Sequence, residues 1–289
     1  MTIGKFLFPA MAVAAFFATE SGAQIVRTNS EFSYADLADL AVNAPIAVEA
    51  EVRSAVRLKD AGGSTAGVAR FFVEADVLAL IRGTGGLPPR INYIADVPLD
   101  ARGKAPKLKK MRVILLARRV PGKADSVQLM APDAQIPWSE SASNRIRGIL
   151  SEATARGAPP RITGVGNAFH TPGAIPGEGE TQIFLNTETG DPVSLLVLRR
   201  PGQAPRWAVA MGEIVDEAAR PPAVATLHWY RLACSLPARL PDSSLEGTDP
   251  AQAQTARADY SIIRRGLGAC TRTRVPATPD AAQAPSRSM

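Results

Sequence analysis

Between residues 46 and 130, apolar side chains recur at every second position in short runs, a period that suits strands with one buried face. In the run 46–53, Ile46, Val48, Ala50 and Val52 alternate with Glu49, Glu51 and Arg53. The run 68–80 sets Phe71, Val73, Ala75 and Val77 opposite Phe72, Glu74, Asp76 and Leu78. Runs at 91–97 and 111–117 follow, the latter apolar on both sides and so expected in a central strand, and 127–130 closes the set. Turn signals at 62–64, 83–86 and Pro88-Pro89 separate the first members. Five short strands within about a hundred residues predict a small antiparallel barrel or sandwich. The 23 glycines and 24 prolines among 289 residues also suit many turns better than a helical bundle.

The strand pair AVEAEVRSAVRL and RFFVEADVLALIRG, followed by the basic strand KKMRVILLARR, resembles the OB-type barrels of netrin-like domains over residues 44–129. The resemblance implies such a barrel here. Netrin-like protease inhibitors act through an N-terminal Cys, which this chain lacks at that place, so inhibition is not implied.

A short helix at 32–42, capped by Ser33, is expected to precede the first strand. After a linker at 132–137, the segment 139–156 carries Ile146, Ile149, Leu150 and Ala153 on one helical stripe and stops at Gly157. Segments 161–169, 181–186, 192–199 and 206–215 predict an antiparallel meander, while 224–236 is open between helix and strand, its β-branched and aromatic content tipping it to strand. Asp249-Pro250 starts a helix that buries Tyr260, Ile263 and Leu267. The fold class is therefore α+β and β-rich. A small antiparallel barrel or sandwich is expected at 32–131, an antiparallel meander flanked by helices at 138–270, and a disordered tail at 271–289 rich in Pro, Ala, Ser and Arg.

Residues 1–23 have the parts of a secretory signal peptide: Lys5, an apolar run at 6–18, and Ser21-Gly22-Ala23 for cleavage. The apolar run falls short of the ~20 residues that span a bilayer as a helix. An uncleaved anchor or a buried first helix is the alternative. No later run reaches ~18 apolar residues, so the chain is not expected to be transmembrane after cleavage. Periplasm or secretion follows, and the chain resembles the Ala- and Arg-rich exported proteins of GC-rich Gram-negative bacteria. In that setting Cys234 and Cys270 predict a disulfide, with two buried free thiols as the alternative.

No G-x-S-x-G elbow, H-E-x-x-H pair, P-loop, C-x-x-C or G-x-G-x-x-G after a strand occurs. No cofactor and no metal are expected. Of the two histidines, His228 lies among Leu227, Trp229 and Tyr230 and reads as a core residue, whereas His170 falls in the loop NAFHTPGAIPGEGE. If that loop folds back, His170, Glu178 and Glu180 are candidates for proton transfer, the basis of an alternative reading as an envelope-directed hydrolase. The stretch 102–123 holds nine Lys or Arg residues and no acid. Within it Lys104, Lys107, Lys109, Lys110 and Arg112 are candidates to bind an anionic envelope component, lipid or polysaccharide. A solvated loop that guards a strand from edge pairing is the competing reading. Nucleic acid is not expected, because no aromatic residues interleave as stacking platforms. The chain thus reads as an exported, non-enzymatic binding or envelope-associated protein.

Overall fold

A sheet closes into a barrel when its two edge strands pair with each other, and the first strand provides that closure here. The computed structural model describes residues 32–59, 67–212 and 219–274. The expected signal peptide, the turn at 62–64 and residues 275–289 of the expected tail lie outside them. Strand β1 (Ile46–Arg57) pairs along its length with β2 (Val68–Arg82), and its first half also pairs with β4 (Arg112–Val120). Three register shifts bend β1 through that double role, which is how bulges curve a sheet. β3 (Arg90–Pro98) runs antiparallel to β2, and β5 (Lys123–Leu129) joins it in parallel at Asn92 and Ser126 while running antiparallel to β4. The order β1-β2-β3-β5-β4-β1 is a closed five-stranded barrel.

Val48, Ala50, Val52, Val73, Ala75, Ile91 and Tyr93 are buried in the barrel-side core. β4 is apolar on both faces because helices cover its outer side: α1 (Tyr34–Ala41) and α2 (Glu140–Thr154) share that core through Leu37, Leu40, Ile146, Ile149 and Leu150. Ser33 caps α1 and forms a capping box with Asp36, and Ser139 caps α2. β6 (Gln135–Pro137), within the segment expected to be a linker, pairs with β4 instead.

The second layer is an antiparallel sheet of β7 (Ile162–Pro172), β8 (Gly179–Thr187), β9 (Val193–Arg199) and β10 (Arg206–Ala210), in the order β10-β9-β8-β7. The inner face of this sheet packs on α4 (Pro250–Leu267), which begins at the Asp249 cap. Gly266 permits that approach, since a Cβ there would collide with the Trp207 ring.

The segment 224–236, open between helix and strand in the sequence and tipped to strand, holds helix α3 (Leu227–Ala233). Thr226 caps it by accepting from the Trp229 amide, Trp229 Nε1 donates to Leu267 O at 2.7 Å, and Tyr230 Oη donates to Asp39 at 2.6 Å. Capping and tertiary contacts override the low helix propensity of its aromatic run. Cys234, at the end of α3, forms a disulfide with Cys270 just beyond α4. Tyr34 and Tyr230 pack against both hydrophobic clusters.

Candidate functional site

The loop 99–111 carries most of the basic stretch, and its backbone is fixed at both ends. Asp100 holds the first turn, its carboxylate accepting from the amides of Arg102 (2.9 Å) and Lys104 (2.8 Å). Leu108 is buried in the barrel-side core and pins the middle. At the far end Lys110 adopts a φ of 69°, uncommon for a residue other than glycine, and its amide donates to Val52 O at 2.7 Å. The Val52 amide donates in return to Met111 O at 2.9 Å. The loop is thereby sewn to β1.

Lys104, Lys107, Lys109 and Lys110 are all exposed, and none has an ion-pair partner among the described residues. No large hydrophobic side chain of the loop is exposed. The loop offers positive charge without an apolar anchor. Arg112 differs from these lysines. Its guanidinium lies 3.8 Å from the centroid of the Trp138 ring and donates to Glu49 at 3.1 Å, while Arg147 and Ser143 of α2 donate to the same carboxylate at 3.0 and 2.7 Å. Burial opposes the charge on Glu49, but the Ser143 and Arg147 donors outweigh it and hold the carboxyl below its ordinary value. Arg112 thus helps dock α2 on the barrel. Farther along, Arg119 donates to the carbonyls of Thr84 and Gly86, and Arg118 to Gln128.

His170 lies in β7 and is buried, not in an exposed loop: β7 continues to Pro172, β8 resumes at Gly179, and the turn spans only 173–178. Strand alternation sends His170 to the inner face and Glu180, which pairs with Thr171, to the outer one. Glu178 sits at the end of the turn. No three His, Cys, Asp or Glu side chains come together as a metal site among the described residues.

The structure instead joins His170 to groups that the sequence motifs do not mark. The Thr181 hydroxyl donates to Asp259 Oδ2 at 2.5 Å, so its oxygen accepts from His170 Nδ1 at 2.9 Å. Arg199 donates to both oxygens of Asp259, at 3.1 and 2.5 Å. Thr181 and Asp259 are fully buried. Gly179 leaves room for the imidazole, since a Cβ there would stand 2.6 Å from His170 Cε1. A carboxylate and hydroxyl behind Nδ1 fix the tautomer, as in general-base arrangements. Here the hydroxyl bonded to the imidazole is fully buried and donates to Asp259, and the network ties α4 to the sheet. The sequence did hold one clue to Asp259: with Ala256, Tyr260 and Ile263 it falls on the apolar stripe of α4, where a carboxylate needs a partner.

No protein-family model matches the chain, and no curated protein matches it either.

Proposed function

We propose that the chain is an exported binding protein, without catalytic activity, that holds an anionic envelope component on the lysines of loop 99–111. The observation that carries this reading is the set of four exposed lysines, without an ion-pair partner among the described residues, on a loop tied down by Leu108 and by two hydrogen bonds to Val52. A fixed loop loses little conformational entropy on binding, which favours recognition over a mere solubilising charge. The disulfide is compatible with an extracytoplasmic setting, and no described helix is long and apolar enough to cross a membrane. The closed barrel is compatible with the OB-type resemblance.

The shared chemistry of the ligand is a phosphate or carboxylate array. Co-sedimentation with vesicles containing phosphatidylglycerol, and retention on an acidic polysaccharide such as alginate, distinguish the two sources. Binding to either at low ionic strength supports the reading, and its absence from both overturns it. Vesicles of phosphatidylcholine alone are the control and should not retain the protein.

A further inference from the structure

On the outer face of the second sheet, polar groups and an exposed aromatic ring share a groove. Thr171, Glu180 and Leu198 form one cross-strand row, and Phe169, Gln182 and Leu196 form the next. Their neighbours His170, Thr181 and Val197 face α4, so alternation turns these six side chains the other way. The turn 173–178 closes one end. Gly173 N donates to Glu178 O at 2.9 Å, and the Glu178 side chain folds back so closely that a Cβ on Gly173 would stand 2.5 Å from it. The result is a groove of about 500 Å³ lined by Phe169, Thr171, Glu178, Glu180, Leu198 and Arg200 among others, within the size range of small-molecule sites.

The two faces of this sheet differ in how their polar groups are used. On the inner face, Thr181, Asp259 and Arg199 hydrogen-bond one another and His170. On the outer face, the side chains of Thr171, Glu178, Glu180, Gln182 and Arg200 have no hydrogen-bond partner among the described residues. The Phe169 ring stands among them, 39% exposed, with the equally exposed Phe184 ring 5.9 Å away between centroids.

We propose that this groove is a second binding site, built for a neutral sugar ring. Carboxylates only accept hydrogen bonds, a guanidinium only donates, and hydroxyl and amide groups do both. Glu178 and Glu180 bring negative charge and Arg200 positive charge to one groove, which disfavours a polyanion and a polycation alike. A sugar hydroxyl donates and accepts at once and so uses both kinds of partner. The apolar C–H face of the ring suits the exposed face of Phe169. This site is independent of the lysine loop, and its ligand is uncharged where that of the loop is anionic.

The test is titration of the full chain with maltotetraose, cellotetraose and chitotetraose in molar salt, followed by saturation-transfer NMR and calorimetry. Molar salt silences the lysine loop, so failure here and failure of the anion-binding reading are separable. The expected result is saturable binding of at least one sugar, weakened about tenfold or more by Phe169→Ala and by Glu180→Gln, and unchanged when the four lysines are replaced by Ala. Both groove positions are exposed, and an unaltered thermal melt shows that the variants fold. No saturable binding of any of the three sugars at millimolar concentration overturns the proposal. So does binding that neither groove substitution alters.

Discussion

Arg274 forks onto Asp133, with Nε donating to Oδ2 at 2.7 Å and Nη2 to Oδ1 at 2.9 Å, so the last described residue is anchored to the loop before β6. The two preceding residues are held as firmly. Arg272 donates to both oxygens of Asp39, and the Thr273 amide and hydroxyl donate to Asp36 at 2.9 and 2.6 Å. The chain expected to be disordered from residue 271 is therefore fixed through Arg274, where it clasps α1 and the barrel.

Asp36 is the centre of that clasp, accepting from the amides and hydroxyls of both Ser33 and Thr273. Replacing it with Ala leaves several part-buried donors without an acceptor and removes half of the capping box. We expect Asp36→Ala to lower stability by about 2–3 kcal/mol in urea unfolding. Hydrogen exchange at the Thr273 and Arg274 amides should accelerate as well.

Acid should release the same clasp. Burial opposes the charge on Asp36, yet donors from Thr273 and Ser33 outweigh it, so the carboxyl lies below its ordinary value, as does that of Glu49. A carboxyl depressed in the folded state stabilises the fold above its unfolded pKa of about 4, and that contribution is lost as pH falls through the folded value. Urea midpoints should thus be level with respect to these two groups above about pH 5 and fall below about pH 4. The Asp36→Asn, Glu49→Gln double variant should show a shallower acid limb, and an equally steep limb would contradict the assignment.

The disulfide closes a loop with a sequence separation of 36 and delivers the clasp to its partners. Replacing both cysteines with Ser should cost about 3–4 kcal/mol on the chain-entropy account. If the bond positions the clasp, limited trypsin digestion of this variant should cut after Arg272 or Arg274 sooner than in the parent. Equal cleavage rates would separate the disulfide from the clasp.

Asp259 carries a different prediction, because its charge is fully buried between Arg199 and Thr181. Asp259→Ala strands the guanidinium and the hydroxyl together and should cost about 3–5 kcal/mol. In the double variant Arg199→Met, Asp259→Leu the stranded charge is gone, so part of that loss should return. A double variant as unstable as the single one would show that packing, not pairing, accounts for the cost.

Period-two alternation made the barrel strands legible, and Ser33, Ser139 and Asp249-Pro250 marked three helix starts as the structure has them. Sequence alone leaves 227–233 open between helix and strand, because Trp229, Tyr230 and the preceding Val224 and Thr226 favour strands locally. What fixes it is the Trp229 bond to Leu267 and the Tyr230 bond to Asp39, contacts that span long stretches of chain. His170 was misplaced for a related reason: Gly and Pro in 173–177 mark a turn, but the ladder beside it extends the strands to Pro172 and Gly179. The lysines of loop 99–111 could be read as a charge run from sequence. What separates Arg112 from them is its contact with Glu49 and Trp138, which the charge run does not reveal.

The central claim is that the four exposed lysines of loop 99–111 bind an anionic surface, and the salt dependence of that binding tests it most directly. Retention on vesicles containing phosphatidylglycerol or on alginate should fall steeply as ionic strength rises past the point where the Debye length shrinks to about 10 Å. The Lys104→Ala, Lys107→Ala, Lys109→Ala, Lys110→Ala variant should bind weakly even at low salt and show a much flatter dependence. A quadruple variant that binds as tightly as the parent, with the same salt dependence, would contradict the account.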